Sequence, residues 1–127
     1  MTNQKRQSGI LLHPTSLPSP YGIGEIGPDA YQFIDKLYSM GQTLWQILPI
    51  GPTDCHNSPY SSISTFAGNP LLISLDLLIE DNLLNPKLLE NIQVNSFNKV
   101  VYREVIQYKM LILKVVSLDF NQKASID

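Results

Sequence analysis

The sequence predicts an α/β fold organised around a parallel sheet, on three observations. Gly9-Ile10-Leu11-Leu12 and Leu44 to Ile50 are short, nearly continuous apolar runs, the pattern of strands buried on both faces. The segment between them carries a helical pattern. The strand-to-strand spacing is roughly 30 residues, the length of a βαβ unit, whose crossover is right-handed.

Taken in order, Met1 to Ser8 is polar with no apolar signal core, and residues 1–7 are expected to be disordered. Gly9 to Leu12 is the first strand. His13 to Gly27 holds Pro14, Pro18, Pro20 and three glycines, so it reads as a loop. Pro28-Asp29 opens a helix, with proline in the first turn and an acid at the positive dipole end. Ala30, Phe33, Ile34, Leu37 and Tyr38 give that helix an apolar face, and Gly41 stops it. Leu44 to Ile50 is the second strand, closed by Pro49, Gly51 and Pro52.

Ligand loops in parallel α/β folds lie at the carboxyl ends of strands. Here those loops are His13 to Gly27 and Gly51 to Pro70, and they are expected side by side. Leu71-Leu72-Ile73 reads as a short extended run. Ser74 caps a leucine-rich helix to about Leu84, before Asn85-Pro86. Phe97, Val101, Val105, Tyr108, Ile112 and Val116 mark a long amphipathic helix, with Lys99, Arg103, Lys109 and Lys114 among its polar positions. Residues 121–127 give no ordering signal. Two parallel strands need neighbours and cover, and the last helix has little obvious to pack on. The chain therefore reads as part of something larger.

A net charge of −2 argues against nucleic acid or an anionic membrane as the main partner, because both call for a basic face. The single cysteine, Cys55, excludes an internal disulfide and fits a reducing, cytoplasmic setting. No run approaches the roughly 18 apolar residues of a membrane span.

Gly22-Ile23-Gly24-Glu25-Ile26-Gly27 matches the dinucleotide pattern G-x-G-x-x-G. That pattern should follow its strand directly, yet nine residues with three prolines separate Leu12 from Gly22. No acid ends the second strand to hold a ribose. Glycines for a tight loop are the better reading, and a nucleotide-binding βαβ module is a remote alternative. Cys55-His56 with His13 falls short of a tetrahedral metal set, and nothing requires Cys55 to be reactive beside His56. Ser58 or Ser61 as a nucleophile would need a base and an orienting acid, and no G-x-S-x-G elbow is present. Trp45 inside a strand is expected in the core with its N–H satisfied. Glycoside chemistry needs two matched carboxylates. Glu25, Asp29, Asp35 and Asp54 are the acids in or near the βαβ unit, and none makes an evident pair.

Asn57-Ser58-Pro59-Tyr60, the following residues to Phe66, and Ala67-Gly68-Asn69-Pro70 form a polar, proline-bounded loop. It offers a ring, hydroxyls and an amide, the groups that hold a sugar. For Tyr60, composition alone leaves a packing anchor and a binding residue equally open.

Several blocks, in order and with matching gaps, carry a family resemblance. They are Ser8-Gly9-Ile10-Leu11-Leu12-His13-Pro14-Thr15-Ser16-Leu17-Pro18, Tyr21-Gly22-Ile23-Gly24 with Gly27-Pro28, and Leu44-Trp45-Gln46-Ile47-Leu48-Pro49 with Gly51-Pro52-Thr53. Ser58-Pro59-Tyr60 and Phe66-Ala67-Gly68-Asn69-Pro70-Leu71-Leu72-Ile73 complete the set. Together they resemble the opening of the 4-α-glucanotransferases, the amylomaltase or disproportionating enzyme family. The match covers residues 6–80 and continues more loosely through Tyr108-Lys109.

The resemblance implies a (β/α)8 barrel with inserted subdomains: residues 8–75 its first βα units, residues 76–127 the helical start of an insertion. It implies transfer of α-1,4-glucan segments between maltooligosaccharides by a retaining double displacement, with no metal or organic cofactor. The family's aspartate nucleophile, glutamate acid/base and stabilising aspartate lie on later strands, so no catalytic residue is expected here. Ser58 and Tyr60 match positions that face the donor sugar, and Asn69 matches a motif position of less defined role. Asp54-Cys55-His56 replaces a frequent Gly-Tyr-Gly whose tyrosine belongs to a secondary glucan-binding surface. A cysteine cannot stack on a sugar, which counts against that accessory site. The chain alone is expected to be inactive and, since such a barrel needs about 250 residues, only marginally folded. The alternative is a non-catalytic product that binds glucan weakly or joins a partner chain.

Overall fold

Strand β1 (Gly9–Leu11) pairs in parallel with β2 (Leu44–Gln46), placing Gly9 opposite Leu44, Ile10 opposite Trp45 and Leu11 opposite Gln46. This computed structural model describes residues 6–64, 66–90, 92 and 98–124. Residues 1–5 of the N-terminal segment, Phe97 and residues 125–127 lie outside the described residues.

The βαβ order is as expected, but the strands are shorter than their apolar runs and are not buried. Leu12 adds one more bond, donating its N–H to the Gln46 carbonyl at 3.0 Å. Leu11 and Leu44 remain exposed. Their composition is that of strands covered on both faces, and among the described residues nothing covers the face they share. Trp45, on the opposite face, meets Phe33 edge-on with ring centroids 5.1 Å apart, and its indole N–H donates to the Leu12 carbonyl at 2.7 Å.

Helix α1 (Pro28–Ser39) has proline in its first turn and Asp29 near its N-terminus. Gly41 ends it at φ 72°, a left-handed conformation that glycine adopts without strain. Ala30 and Leu37 are buried, while Ile34 and Tyr38 of the same predicted face are exposed.

Past Pro70 the structure corrects three expectations. Pro70–Leu72 is a 3-10 turn rather than an extended run: the Asn69 side chain accepts from the Leu71 N–H at 3.0 Å, and Pro70 presets the first φ. Helix α2 (Leu75–Glu80) is capped by Ser74 as expected but stops before Leu84, with Asn82 in the left-handed region at φ 57°. Helix α3 (Tyr102–Ala124) runs into the tail that carries no ordering signal, and one stripe of it is packed. Its Ile112 and Val116 join Leu75 and Leu84 in one apolar cluster, and Val105 joins Ile23 and Leu71 in a second.

Lys109 is the largest correction. Expected among the polar positions of α3, it is 0% exposed. Its ammonium pairs with the Glu25 carboxylate and donates to the Leu71 carbonyl at 2.7 Å. Glu25 also accepts from the Leu75 N–H at 2.9 Å. Two tyrosines extend the network: Tyr108 donates its hydroxyl to the Tyr21 carbonyl, and Tyr21 donates its own to Asp76 at 2.6 Å. Burial pushes the Glu25 carboxyl up and the Lys109 ammonium down, with their mutual attraction opposing both. Burial first, and then Asp76, lifts the Tyr21 phenol above its usual range.

The same corner accounts for the glycine motif. A side chain on Gly24 would collide with the Pro14 carbonyl, and one on Gly27 with the Ser74 side chain. These glycines let the loop pack against its neighbours, as the tight-loop reading has it.

Candidate functional site

The two loops that follow the strands meet, as expected from parallel α/β geometry. His13 joins them. Its Nδ1 accepts from the Thr15 N–H at 3.3 Å and lies 2.7 Å from the Thr15 hydroxyl. Its Nε2 lies 3.3 Å from the Pro49 carbonyl, an acceptor only, so the hydrogen-bond pattern assigns the proton to Nε2.

A cleft of about 180 Å³ opens between the loops, walled by residues that include His13, Thr15, Asn57, Pro59, Asn69 and Tyr102. Among the described residues, no aspartate or glutamate lines it. The sequence reading weighed His13 only for metal and Asn57 only as part of the polar loop, and it did not single out Thr15 or Tyr102; all four are cleft residues. The predicted meeting of the two loops was the signal for the first three, whereas Tyr102 arrives from α3.

The hydroxyl-rich segment is a small hairpin. Thr53 and Ser62 form an antiparallel bridge, Asp54 donates to the Ser61 carbonyl at 3.0 Å and Ile63 to the Pro52 carbonyl at 3.1 Å. Its tip is a turn closed by the Ser61 N–H on the Ser58 carbonyl at 3.0 Å, with Pro59 at the second position, where its fixed φ suits the bend. Asn57 sits just before it at φ 57°, a conformation asparagine tolerates.

Ser58 is half-buried, and its hydroxyl oxygen accepts from the Tyr60 N–H at 3.3 Å. Tyr60 is 74% exposed, and its ring joins no core among the described residues. Neither Ser58 nor Tyr60 lines the cleft itself; Pro59 between them does. Asn69 lines the cleft, but its side-chain oxygen already caps the 3-10 turn, and its N–H donates to the Ile50 carbonyl at 3.3 Å.

At the hairpin's other end, Asp54 accepts from the His56 N–H at 2.9 Å and lies 3.2 Å from its Nδ1. These bonds, the backbone one first, hold the Asp54 carboxyl below its usual value. Cys55 is exposed, with its sulfur 3.6 Å from the same Nδ1. Among the described residues, no group of three or more His, Cys, Asp or Glu is placed to hold a metal.

Comparisons with known proteins identify the family. The family model described as 4-alpha-glucanotransferase matches residues 12–127. A 4-alpha-glucanotransferase of Synechocystis is 52% identical over 117 residues, 92% of this chain and 23% of its own length. One from Aquifex aeolicus is 44% identical over 119 residues, again 92% of this chain and 24% of its own. Among solved structures, an amylomaltase from Streptococcus agalactiae in complex with acarbose superposes with a TM-score of 0.88 at 38% identity. It covers 93% of this chain and 24% of that one. The chain thus spans about a quarter of the relatives it matches.

Proposed function

Because the chain belongs to the 4-α-glucanotransferase family and spans about a quarter of its relatives, we propose that it forms one wall of an α-1,4-glucan site, the part that positions sugar rather than the part that reacts. The observation that carries this reading is Tyr60. A large aromatic ring is held out to solvent on a hydrogen-bonded turn, beside a cleft at the carboxyl ends of two parallel strands. Aromatic rings bury much area at little entropic cost. Tyr60 offers a glucose unit its ring and hydroxyl, Ser58 offers a short hydrogen bond, and Asn69 presents its remaining amide group from the cleft wall. The family name and the acarbose complex of the amylomaltase neighbour support a maltooligosaccharide as the ligand.

In this reading residues 8–75 are the first βα units of a (β/α)8 barrel, and residues 76–127 begin a helical insertion. The whole enzyme transfers glucan segments with retention and without a cofactor, in the cytoplasm; no described helix is long and apolar enough to cross a membrane. Retention requires two carboxyl groups about 5–5.5 Å apart. Of the nearest acids, Asp54 is bonded to His56 and Glu25 is enclosed by Lys109 and the Leu75 N–H. The chain alone therefore binds glucan without cleaving it.

Titration with maltoheptaose, followed by amide chemical shifts, tests the site. Shifts are expected at Ser58, Tyr60 and the cleft residues. Tyr60→Ala is expected to weaken binding about tenfold, equivalent to ~1.4 kcal/mol. Glucose release from maltotriose by the purified chain would overturn the non-catalytic reading. Shifts confined to other surfaces would overturn the site.

A further inference from the structure

Three of the segments that wall the cleft are far apart in sequence: the loop after β1 with His13 and Thr15, the turn that begins at Asn69, and the start of α3 with Tyr102. A single ammonium joins them. Lys109 lies seven residues after Tyr102, about two turns along the same face of α3. Its Nζ pairs with Glu25 of the loop and donates to the Leu71 carbonyl of the turn at 2.7 Å. From both contacts a short path of hydrogen bonds leads to the cleft. Beside Glu25, the Gly24 N–H donates to the Thr15 carbonyl at 3.1 Å, and the Ile26 N–H ties the loop to the turn through the Leu72 carbonyl at 2.9 Å. In the turn, the Leu71 N–H donates to the Asn69 side chain at 3.0 Å and the Leu72 N–H to the Asn69 carbonyl at 3.0 Å.

Packing alone does not call for a lysine at this position. Val105 and Ile112 flank it on the buried stripe of α3, so an apolar side chain would continue the stripe. Replacing a buried ion pair by apolar residues of similar volume is often neutral or stabilising. What the pair adds is direction: charge-assisted hydrogen bonds hold a set length and orientation, whereas apolar contacts are non-directional. We propose that Lys109 is a positioning residue of the cleft, which through Glu25 and the Leu71 carbonyl fixes where Thr15, Asn69 and Tyr102 stand relative to one another. Lys109 is fully buried and does not line the cleft, so it acts through those three residues and not on the ligand. The proposal rests on the glucan-wall reading above for the ligand, a maltooligosaccharide, whose closely spaced hydroxyls reward a wall of fixed geometry.

The test is the double variant Lys109→Met with Glu25→Gln in the 127-residue chain. Both buried charges are removed, so neither is stranded, and the glutamine oxygen can still accept from the Leu75 N–H, but the Leu71 carbonyl loses the ammonium. Amide hydrogen exchange and maltoheptaose titration are measured together. In the wild type, the Ile26, Leu71 and Leu72 amides are expected to be protected to within about tenfold of Ile112 and Val116 in α3. In the double variant those three are expected to exchange about tenfold faster relative to Ile112 and Val116, and the Kd for maltoheptaose to rise about tenfold. A role confined to stability would instead lower protection evenly along the chain, and that result overturns the proposal. So does a local loosening that leaves the affinity unchanged, or an unchanged exchange pattern. Free exchange of Leu71 and Leu72 in the folded wild type overturns it without any variant. A wild type that does not bind maltoheptaose overturns the glucan-wall reading instead, and the exchange pattern then still decides whether Lys109 sets the cleft.

Discussion

At the sheet, Leu11 and Leu44 are 58% and 49% exposed, while in the corner beneath α3 a glutamate and a lysine are sealed from water. The two regions invert the usual placement of residue types. The corner is finished: every polar group of Glu25 and Lys109 is engaged by Leu71, Leu75 or the opposite charge, and apolar clusters flank the network on both helices. The sheet has the composition of an interior and the environment of a surface. The difference separates a region whose described residues satisfy one another from one that is apolar in composition yet exposed among them.

The largest effect expected from breaking this contrast comes from Lys109→Met. It leaves the buried Glu25 carboxylate without its cation, and removing one partner of a buried pair costs about 3–5 kcal/mol. Chemical denaturation followed by circular dichroism measures the loss. Adding Glu25→Gln should recover part of it, and a cycle with no recovery would show that the two residues are not coupled. The pH dependence sharpens the same point. Glu25 is raised by burial, so the folded chain takes up its proton before the unfolded chain does. Its contribution to stability is therefore full below the ordinary glutamate value and is lost as pH rises through the raised folded value. Relative to Glu25→Gln, the wild type should gain stability as pH falls across that window. A difference independent of pH would count against a raised Glu25.

Trp45→Phe is expected to cost about 1 kcal/mol, since it removes the bond to the Leu12 carbonyl but keeps a ring against Phe33. Leu11→Asp and Leu44→Asp should each change the stability of the isolated chain by no more than about 0.5 kcal/mol, because those side chains are already in water. A loss of several kcal/mol at either position would mean that the sheet face is covered in solution. Tyr60→Ala should leave the melting curve in place while weakening glucan binding, which would separate the hairpin's binding role from any structural one.

The parts legible in the sequence are those set by local signals. Pro28, Asp29 and Gly41 mark the ends of α1, Ser74 caps α2, and the spacing of the two apolar runs gives the parallel pair. Ser58-Pro59-Tyr60 was recognisable as part of a polar loop, and the structure shows the turn that proline and the serine side chain hold there. What escaped depends on distant partners. Lys109 lies four residues after Val105 and three before Ile112, so it falls on the buried stripe of α3. Its charge marked it as solvent-facing because Glu25, 84 positions away, cannot be seen along the chain. Leu71 to Ile73 looked extended because a single turn of 3-10 helix is shorter than any periodicity; the Asn69 cap decides it. The exposure of the strands was hidden for a different reason. Composition reports the environment a strand is suited to, not whether the covering elements are present.

Trp45 has one more consequence. It is the chain's only tryptophan, and it sits in β2 with its indole bonded to Leu12 and its ring edge-on to Phe33. The corner beneath α3 holds tyrosines instead, Tyr21 and Tyr108. Emission excited at the red edge of protein absorbance therefore arises from the contact between β2 and α1 alone, while shorter excitation also samples the tyrosines. The protein carries its own optical reporter of the sheet, able to register the loss of that contact without any attached label.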